Sequence, residues 1–428
     1  MSSPLTRRKF IKLLCFLSLG LLNLSLFEKL FRNIKPAIAS DRGSKNKPTN
    51  DNGVSIIYEA KNGTPEQNVK KVIEMMGGIE TIIGKEDIVI LKPNAQWWNQ
   101  GTTNTDAMRG FIDLVLAIPN FKGELIIADN HQFYSWKHGA NIRGWSTQKR
   151  NGRFNLNELI DYFQKRGYRN VTKYSWISSE ICSADIHPEN QVQYCFAKTR
   201  RKLFEKHGRV VESPANGDGY VWTDIEYRYD GKKTKMTYPI FTSEYSKTTI
   251  DFKNGAWRGG KYTGQPVKFI NFAGLNHHSK YAGVTSSVKN YLGCVDMSCG
   301  YIGTKPAGYV NFHFIGVPGL GGAVGTFINT IRKADLNIIT AELVGYSSRT
   351  DLDRAARTKT MIASTDPVAL DYYGAKQILY PLGGPVASLN DPDNKKGPFR
   401  QYLNLCAEQG IGTLEENKMK AITFDCQV

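Results

Sequence analysis

The stretch PVKFINFAGLNHHSKYAGVTSSVKNYLGCVDM, Pro266 to Met297, sets the fold. Its first seven residues, PVKFINF, form an apolar, β-branched run of the length of a buried strand, and SSVKNYLG reads as a short helix ending at Gly293. Between them stand His277, His278 and Lys280, a Gly/Ser/Thr-rich turn from Gly283 to Ser287, and then Lys289 beside Asn290. A polar cluster after a strand and at the start of a helix meets exposed backbone N–H groups and the positive end of the helix dipole, which favours an anion. Lysine supplies counter-charge to a phosphate or carboxylate, while neutral imidazole ligates metal or moves protons. On the residues alone a second reading stands beside this one: a solvated histidine pair in a loop and a lysine on the surface.

The same strand–helix alternation runs to either side. VSIIYEA (Val54 to Ala60) reads as a strand, and Thr64-Pro65-Glu66 opens a helix to about Met76 with a cap and a first-turn proline. IVILKPN is continuous and apolar, as buried parallel strands are. Its polar tail, Lys92-Pro93-Asn94, falls where open α/β sheets hold their ligands, so Lys92 and Asn94 join the candidates, with a capping turn as the alternative. Thr105 or Asp106 caps a helix to Ala117, and GELIIAD (Gly123 to Asp129) is a third strand. Asp129, Asn130 and His131 past its end read either as a metal or general-base site or as turn chemistry. A helix from about Leu156 to Gly167 and a strand near Asn170 to Tyr174 follow.

From about residue 178 to 264 the rhythm breaks. Alternating runs such as YVWTDIEYRY and TKMTYPIF predict a β-rich insertion or second lobe, whose aromatics pack the hairpins or line a cleft. Beyond the central stretch, a glycine-rich turn from Gly316 to Gly325, near His313, has neither the P-loop lysine nor the dinucleotide fingerprint. ADLNIITAELVGY (Ala334 to Tyr346) is a buried strand carrying Glu342. TKTMIAST leads by another strand into a helix start at Asp366-Pro367, with Asp366 as its cap and Asp371 free to face either way; a terminal helix and a short strand close the chain. The fold class is α/β, a mostly parallel sheet flanked by helices, built from residues 53–177 and 265–428 around the insertion 178–264.

At the N-terminus, TRRKFIK matches the twin-arginine export pattern through Arg7 and Arg8, Leu13 to Phe27 is an uncharged h-region, and Ala37-Ile38-Ala39 offers a cleavage site. Residues 1–39 are thus a signal peptide or a retained anchor, followed by a polar, disordered tether at 40–52. The expected partner during export is the twin-arginine translocase, the expected destination is periplasmic or otherwise extracytoplasmic, and a retained N-terminus would associate with the membrane. The formal charge is +17. Residues 1–39 carry seven Lys/Arg and one Glu, and without them 49 basic residues face 38 acidic ones, or +11. This surplus points to an anionic small molecule, an envelope polymer or a membrane surface. No nucleic-acid-binding motif is present, and nucleic acid is not an expected partner. After Cys15, six cysteines remain; in an oxidising compartment Cys294 with Cys299 and Cys182 with Cys195 are the nearest disulfide pairs. Their spacing fits no usual zinc pair, and their scatter speaks against an iron–sulfur cluster of the chain's own.

HHSKYAGVTSSVKNYLG resembles the signature of the DUF362 family, in which a His-bearing loop, a Gly-Val-Thr step and a Lys-Asn-Gly helix follow one another. VILKPNAQ (Val89 to Gln96), TNTDAMRGFIDLV (Thr103 to Val115) and ASTDPVALDYYGAKQIL (Ala363 to Leu379) are similar to the same family in order. The resemblance implies membership without an assigned reaction. Some members add ferredoxin-like cysteine clusters, a pattern this chain lacks, and an acidic residue is common near Glu342, which makes it a metal candidate with His277 and His278. More distantly, the histidine, Ala-Gly, small-residue and lysine spacing is similar to the lactate racemase family, whose members hold a nickel pincer cofactor. The expectation is a strand-end cleft for an anionic small molecule, with a metal ion or organic cofactor. His277, His278 and Lys289 would be catalytic, and Lys92, Asn94, Lys280 and Asn290 would bind substrate. The reaction would be isomerase- or racemase-like proton transfer beside a carboxylate, or a redox step. The competing expectation is a non-catalytic binding or assembly protein of the cell envelope.

Overall fold

The computed structural model describes residues 53–130, 144–176, 210–296, 309–310 and 312–427. Arg7 and Arg8, the tether, His131, Cys182, Cys195 and Cys299 lie outside these residues.

The central sheet is built from β1 (Ser55–Lys61), β2 (Ile88–Lys92), β3 (Glu124–Asp129), β4 (Val171–Ser175), β10 (Val267–Ser279), β12 (Leu336–Gly345), β13 (Ala355–Ser364) and β14 (Met419–Asp425). Their spatial order is β14-β1-β13-β12-β10-β2-β3-β4. All pairings along it are parallel except the two made by β13. Strands buried on both faces read as continuous apolar runs, as IVIL and FINF do here.

Alternation along each strand divides the core in two. Val89, Leu91, Leu125, Ile127, Ile270 and Phe272 face one side, against Val69 and Val72 of α1 (Pro65–Met75), Phe111 of α2 (Thr105–Leu116) and Phe163 of α3 (Leu156–Lys165). Ile88, Ile90, Ile126, Phe269 and Leu275 face the other. There they meet Met236, Ile240 and Phe241 from a second, antiparallel sheet of β5 (Gly219–Tyr229), β6 (Lys232–Thr242), β7 (Thr249–Asp251), β8 (Gly255–Arg258) and β9 (Lys261–Tyr262). Burying each such side chain is worth about 1.5–3 kcal/mol, so the sheet-to-sheet contact alone contributes substantially. Both sheets belong to one compact unit, and the β-rich segment is an insertion packed on the main core instead of a detached lobe.

Three expectations change. Asn104, not Thr105 or Asp106, caps α2, accepting from the backbone N–H groups of Asp106 and Ala107 at 3.1 and 3.0 Å. Thr105 instead donates its hydroxyl to Phe154 O, and Asp106 pairs with Arg153. The glycine-rich turn is largely a helix, α5 (Gly319–Thr330), whose glycines admit close neighbours: a Cβ on Gly321 would fall 1.9 Å from Tyr402 O, and one on Gly322 2.0 Å from the Tyr227 hydroxyl. Lastly, β10 runs on through His277 and His278, and Gly283 to Thr285 forms a short strand, β11, folded back on it. The histidine pair therefore belongs to a strand, because β11 and β12 supply backbone partners that the local sequence does not announce.

Candidate functional site

A cleft opens at the C-terminal ends of β2, β3 and β10, closed on one side by the loop after β12 and on another by α4 (Ser287–Asn290). Its working side chains are Lys92, Asn94, Trp97, His278, Lys289 and Arg349, around a narrow opening. That is the position at which open α/β sheets hold ligands.

The floor is an ion pair. Lys92, 1% exposed, places Nζ 2.9 Å from Asp129 Oδ1 and donates also to Pro93 O at 2.9 Å and Asn290 Oδ1 at 3.0 Å. An ammonium has three protons, so all are used. Burial pushes the Asp129 carboxyl up, against the opposing pull of Lys92 and of the Ala95 and Asn130 backbone N–H groups. The turn after α4 crosses this pair so closely that a Cβ on Gly293 would lie 2.0 Å from Asp129 Oδ1 and 2.2 Å from Lys92 Nζ. Asn290 completes the floor, donating to Lys92 O and Asn271 Oδ1.

The upper wall carries charge without counter-charge. Lys289 is 6% exposed; burial, and then Arg349, hold its ammonium down to about 7. Its hydrogen-bond partner is His313 Nε2 at 3.4 Å. Arg349 is brought down to about 10 by burial; its guanidinium stacks on Trp97 at 4.2 Å and Nη1 donates to His278 O at 2.9 Å. Neither cation has an acidic partner among the described residues. His278 Nδ1 lies 2.6 Å from Thr285 Oγ1 and 3.1 Å from Arg349 Nη1. Arg349 Nη1 also approaches the other ring nitrogen, Nε2, at 3.4 Å. Burial first, then Lys289 and Arg349, hold this imidazole well below its usual range and keep it neutral at pH 7.

The start of α4, which the sequence offers to an external anion, is filled from within. Asp371, on α6 (Pro367–Gly374), accepts the Ser287 and Val288 backbone N–H groups at 2.8 and 3.0 Å. Burial raises its carboxyl to about 7. An internal carboxylate thus takes the helix-end position, and the cleft's charge comes from side chains.

Among the other sequence candidates, Asn94 lines the cleft and shapes its rim, with backbone N–H bonded to Thr103 Oγ1 at 2.7 Å. His277 points away, its Nδ1 2.8 Å from Asn390 Oδ1, because adjacent strand residues face opposite sides. Burial lowers its pKa as well. Lys280 is exposed beside the Tyr281 ring, apart from the cleft lining. Glu342 accepts from Asn68 Nδ2 at 3.0 Å near α1, and burial lifts it to about 7. The three metal candidates are therefore not gathered, and no group of three or more His, Cys, Asp or Glu able to hold a metal is formed among the described residues. Cys294, Cys406 and Cys426 form no disulfide among the described residues, and the first two are buried. Asp129 belongs to the site more firmly than its turn reading suggests. Arg349 carries no motif at all; its one sequence signal is its place just past the C-terminal end of a strand.

The depressed Lys289 fixes a pH dependence. Between about 7 and its ordinary value of 10.5 the unfolded chain holds a proton that the folded protein has released, so stability rises with pH across that window. At about 1.4 kcal/mol per unit the gain amounts to a few kcal/mol. Denaturant unfolding at a series of pH values should show this slope in the wild type and its loss in Lys289→Met, with the variant the more stable near pH 7. Equal slopes would contradict the burial of an uncompensated lysine.

No curated protein and no solved structure matches the chain. The model of one family does match, over residues 203–376, which include the antiparallel sheet, His278, Lys289, Arg349 and Asp371 but not Lys92, Asn94 or Asp129. The protein therefore carries a DUF362 domain, a domain of unknown function, over residues 203–376.

Proposed function

We propose that the cleft binds a small anion, a carboxylate or phosphate compound, between Lys289 and Arg349, and that the protein is an enzyme moving a proton next to that anionic group. The observation that carries the reading is a buried Lys289 and a half-buried Arg349, neither with an acidic partner among the described residues, beside a third cation, Lys92, whose charge Asp129 already neutralises. An anion would replace the solvent these cations have lost. Arg349 takes the role expected of Lys280, and His278, neutral and in the cleft, takes the acid–base role shared with His277 in the sequence reading. Asn94 would orient the ligand. The donor set among the described residues gives no support to a protein-held metal.

Sulfate titrated by calorimetry tests the binding step, since its charge is constant across neutral pH. Affinity should rise as pH falls from about 8 to 6, because the anion favours protonated Lys289. Truncating one partner of a buried charge contact costs about 2–5 kcal/mol, so Lys289→Met and Arg349→Met should each weaken binding at least tenfold. Unchanged affinity in both variants would end this proposal. The net basic charge supports a second reading, a non-catalytic receptor for an anionic envelope polymer; it requires polymer binding that survives both substitutions.

We also propose export by the twin-arginine translocase to an extracytoplasmic location, from the Arg7-Arg8 pattern and the leucine-rich stretch after it. Replacing Arg7 and Arg8 together by lysine should leave the protein in the cytoplasm on cell fractionation; normal export of that variant would refute the route.

A further inference from the structure

We propose that Lys289 is a covalent nucleophile that forms a Schiff base with the carbonyl carbon of a 2-oxo acid whose carboxylate rests on Arg349. The inference builds on the anion-binding reading and names its substrate class.

The two cleft lysines differ in what holds them. Lys92 spends its three protons on Asp129, Pro93 and Asn290, and its nitrogen has no lone pair to offer. Lys289 sees no carboxylate among the described residues, and its hydrogen-bond partner is an imidazole nitrogen, His313 Nε2, at 3.4 Å. A neutral imidazole contacts the amine without holding it in its charged form, so the proton can leave to solvent before the nitrogen attacks, whereas a carboxylate would keep the ammonium charged. Desolvation of a lysine with a second cation nearby is a known route to a nucleophilic amine, and Arg349 is that cation here.

Arg349 also sets the ligand's orientation. Its described polar contacts all use Nη1, on His278, and the stack on Trp97 fixes the guanidinium plane. The rest of the fork suits a carboxylate. A plain carboxylate or a phosphate would use only the charge of the site. A carbonyl adjacent to the carboxylate uses the amine as well, and the narrow cleft favours a small acid.

The neutral Lys289 amine adds to the carbonyl carbon, forming a C–N bond while the C=O π electrons move to oxygen, which takes the proton that the new ammonium nitrogen gives up. The resulting carbinolamine loses its hydroxyl as water on a second protonation, and the nitrogen lone pair forms the C=N bond. No oxidant or reductant is consumed. The protonated imine draws electrons from the neighbouring C–H bond, which gives neutral His278 in the same cleft a proton it can remove.

The test incubates the full chain with pyruvate, reduces it with cyanoborohydride and reads intact mass and a peptide map. One reduced pyruvate adduct per chain is expected, on the peptide bearing Lys289, suppressed by excess acetate competing for Arg349. Lys289→Arg should lose the adduct while still binding sulfate, and Lys280→Arg, outside the cleft, should retain it. The peptide map of the wild type decides the matter even if Lys289→Arg fails to fold. No adduct, or labelling spread over surface lysines such as Lys280, overturns the covalent role. If sulfate still binds in that case, only this inference falls; if sulfate fails to bind as well, the anion site falls with it.

Discussion

Asp129→Ala is expected to destabilise the protein by about 3–5 kcal/mol, the cost of leaving one member of a buried ion pair unpaired. The carboxylate it removes is buried, accepts two backbone N–H groups and faces Lys92 Nζ at 2.9 Å. Without it, an ammonium 1% exposed keeps only two neutral acceptors. Replacing both partners, as Lys92→Met with Asp129→Leu, should recover most of the loss, because an apolar pair of similar volume removes the desolvation cost of both charges. Denaturant unfolding of the two single variants and the double variant measures the coupling directly. A loss below about 1 kcal/mol in Asp129→Ala would mean that the pair is solvated, as surface pairs are. The consequence for function is that Lys92 acts as a positioning residue. It ties the ends of β2 and β3 to Asn290 on α4, the helix that carries Lys289.

The second large effect is expected at Asp371. Asp371→Ala leaves two buried backbone N–H groups without their acceptor, at about 1–3 kcal/mol each, so a loss on the order of 2–5 kcal/mol should follow. Asp371→Asn keeps one acceptor and should cost less. The pH dependence separates the two contributions. With its folded value raised to about 7 from an ordinary 3.8, the Asp371 carboxyl holds a proton in the folded state that the unfolded chain has already lost. Stability from this group therefore falls as pH rises from about 4 to about 7, and Asp371→Asn should flatten that part of the profile. Because Asp371 anchors the start of α4, both variants should also weaken sulfate binding through the displacement of Lys289. Sulfate affinity equal to that of the wild type in Asp371→Ala would show that α4 holds its place without this contact.

Local order was the sequence's to decide. Continuous apolar runs such as IVILK and FINF specify buried parallel strands, and Thr64 with Pro65 specifies a helix start, because chain geometry and propensity act over a few residues. The alternating runs of β5 and β6 likewise announce an antiparallel sheet, and the rule that ligands gather at strand ends is enough to single out Lys92, Asn94 and the His277 to Asn290 stretch. What each charge does was left to the tertiary structure. Lys92 and Lys289 look equivalent as sequence, yet the order of β2 and β3 puts Asp129 on the first, while no carboxylate among the described residues reaches the second. His277 and His278 are separated in role only because β10 extends through them and adjacent residues of a strand face opposite sides. Arg349 and Asp371 enter through pairing and packing between distant segments: one reaches the cleft from the loop after β12, the other takes the helix end meant for a ligand. Electrostatic compensation depends on distance and burial, and the fold alone sets both.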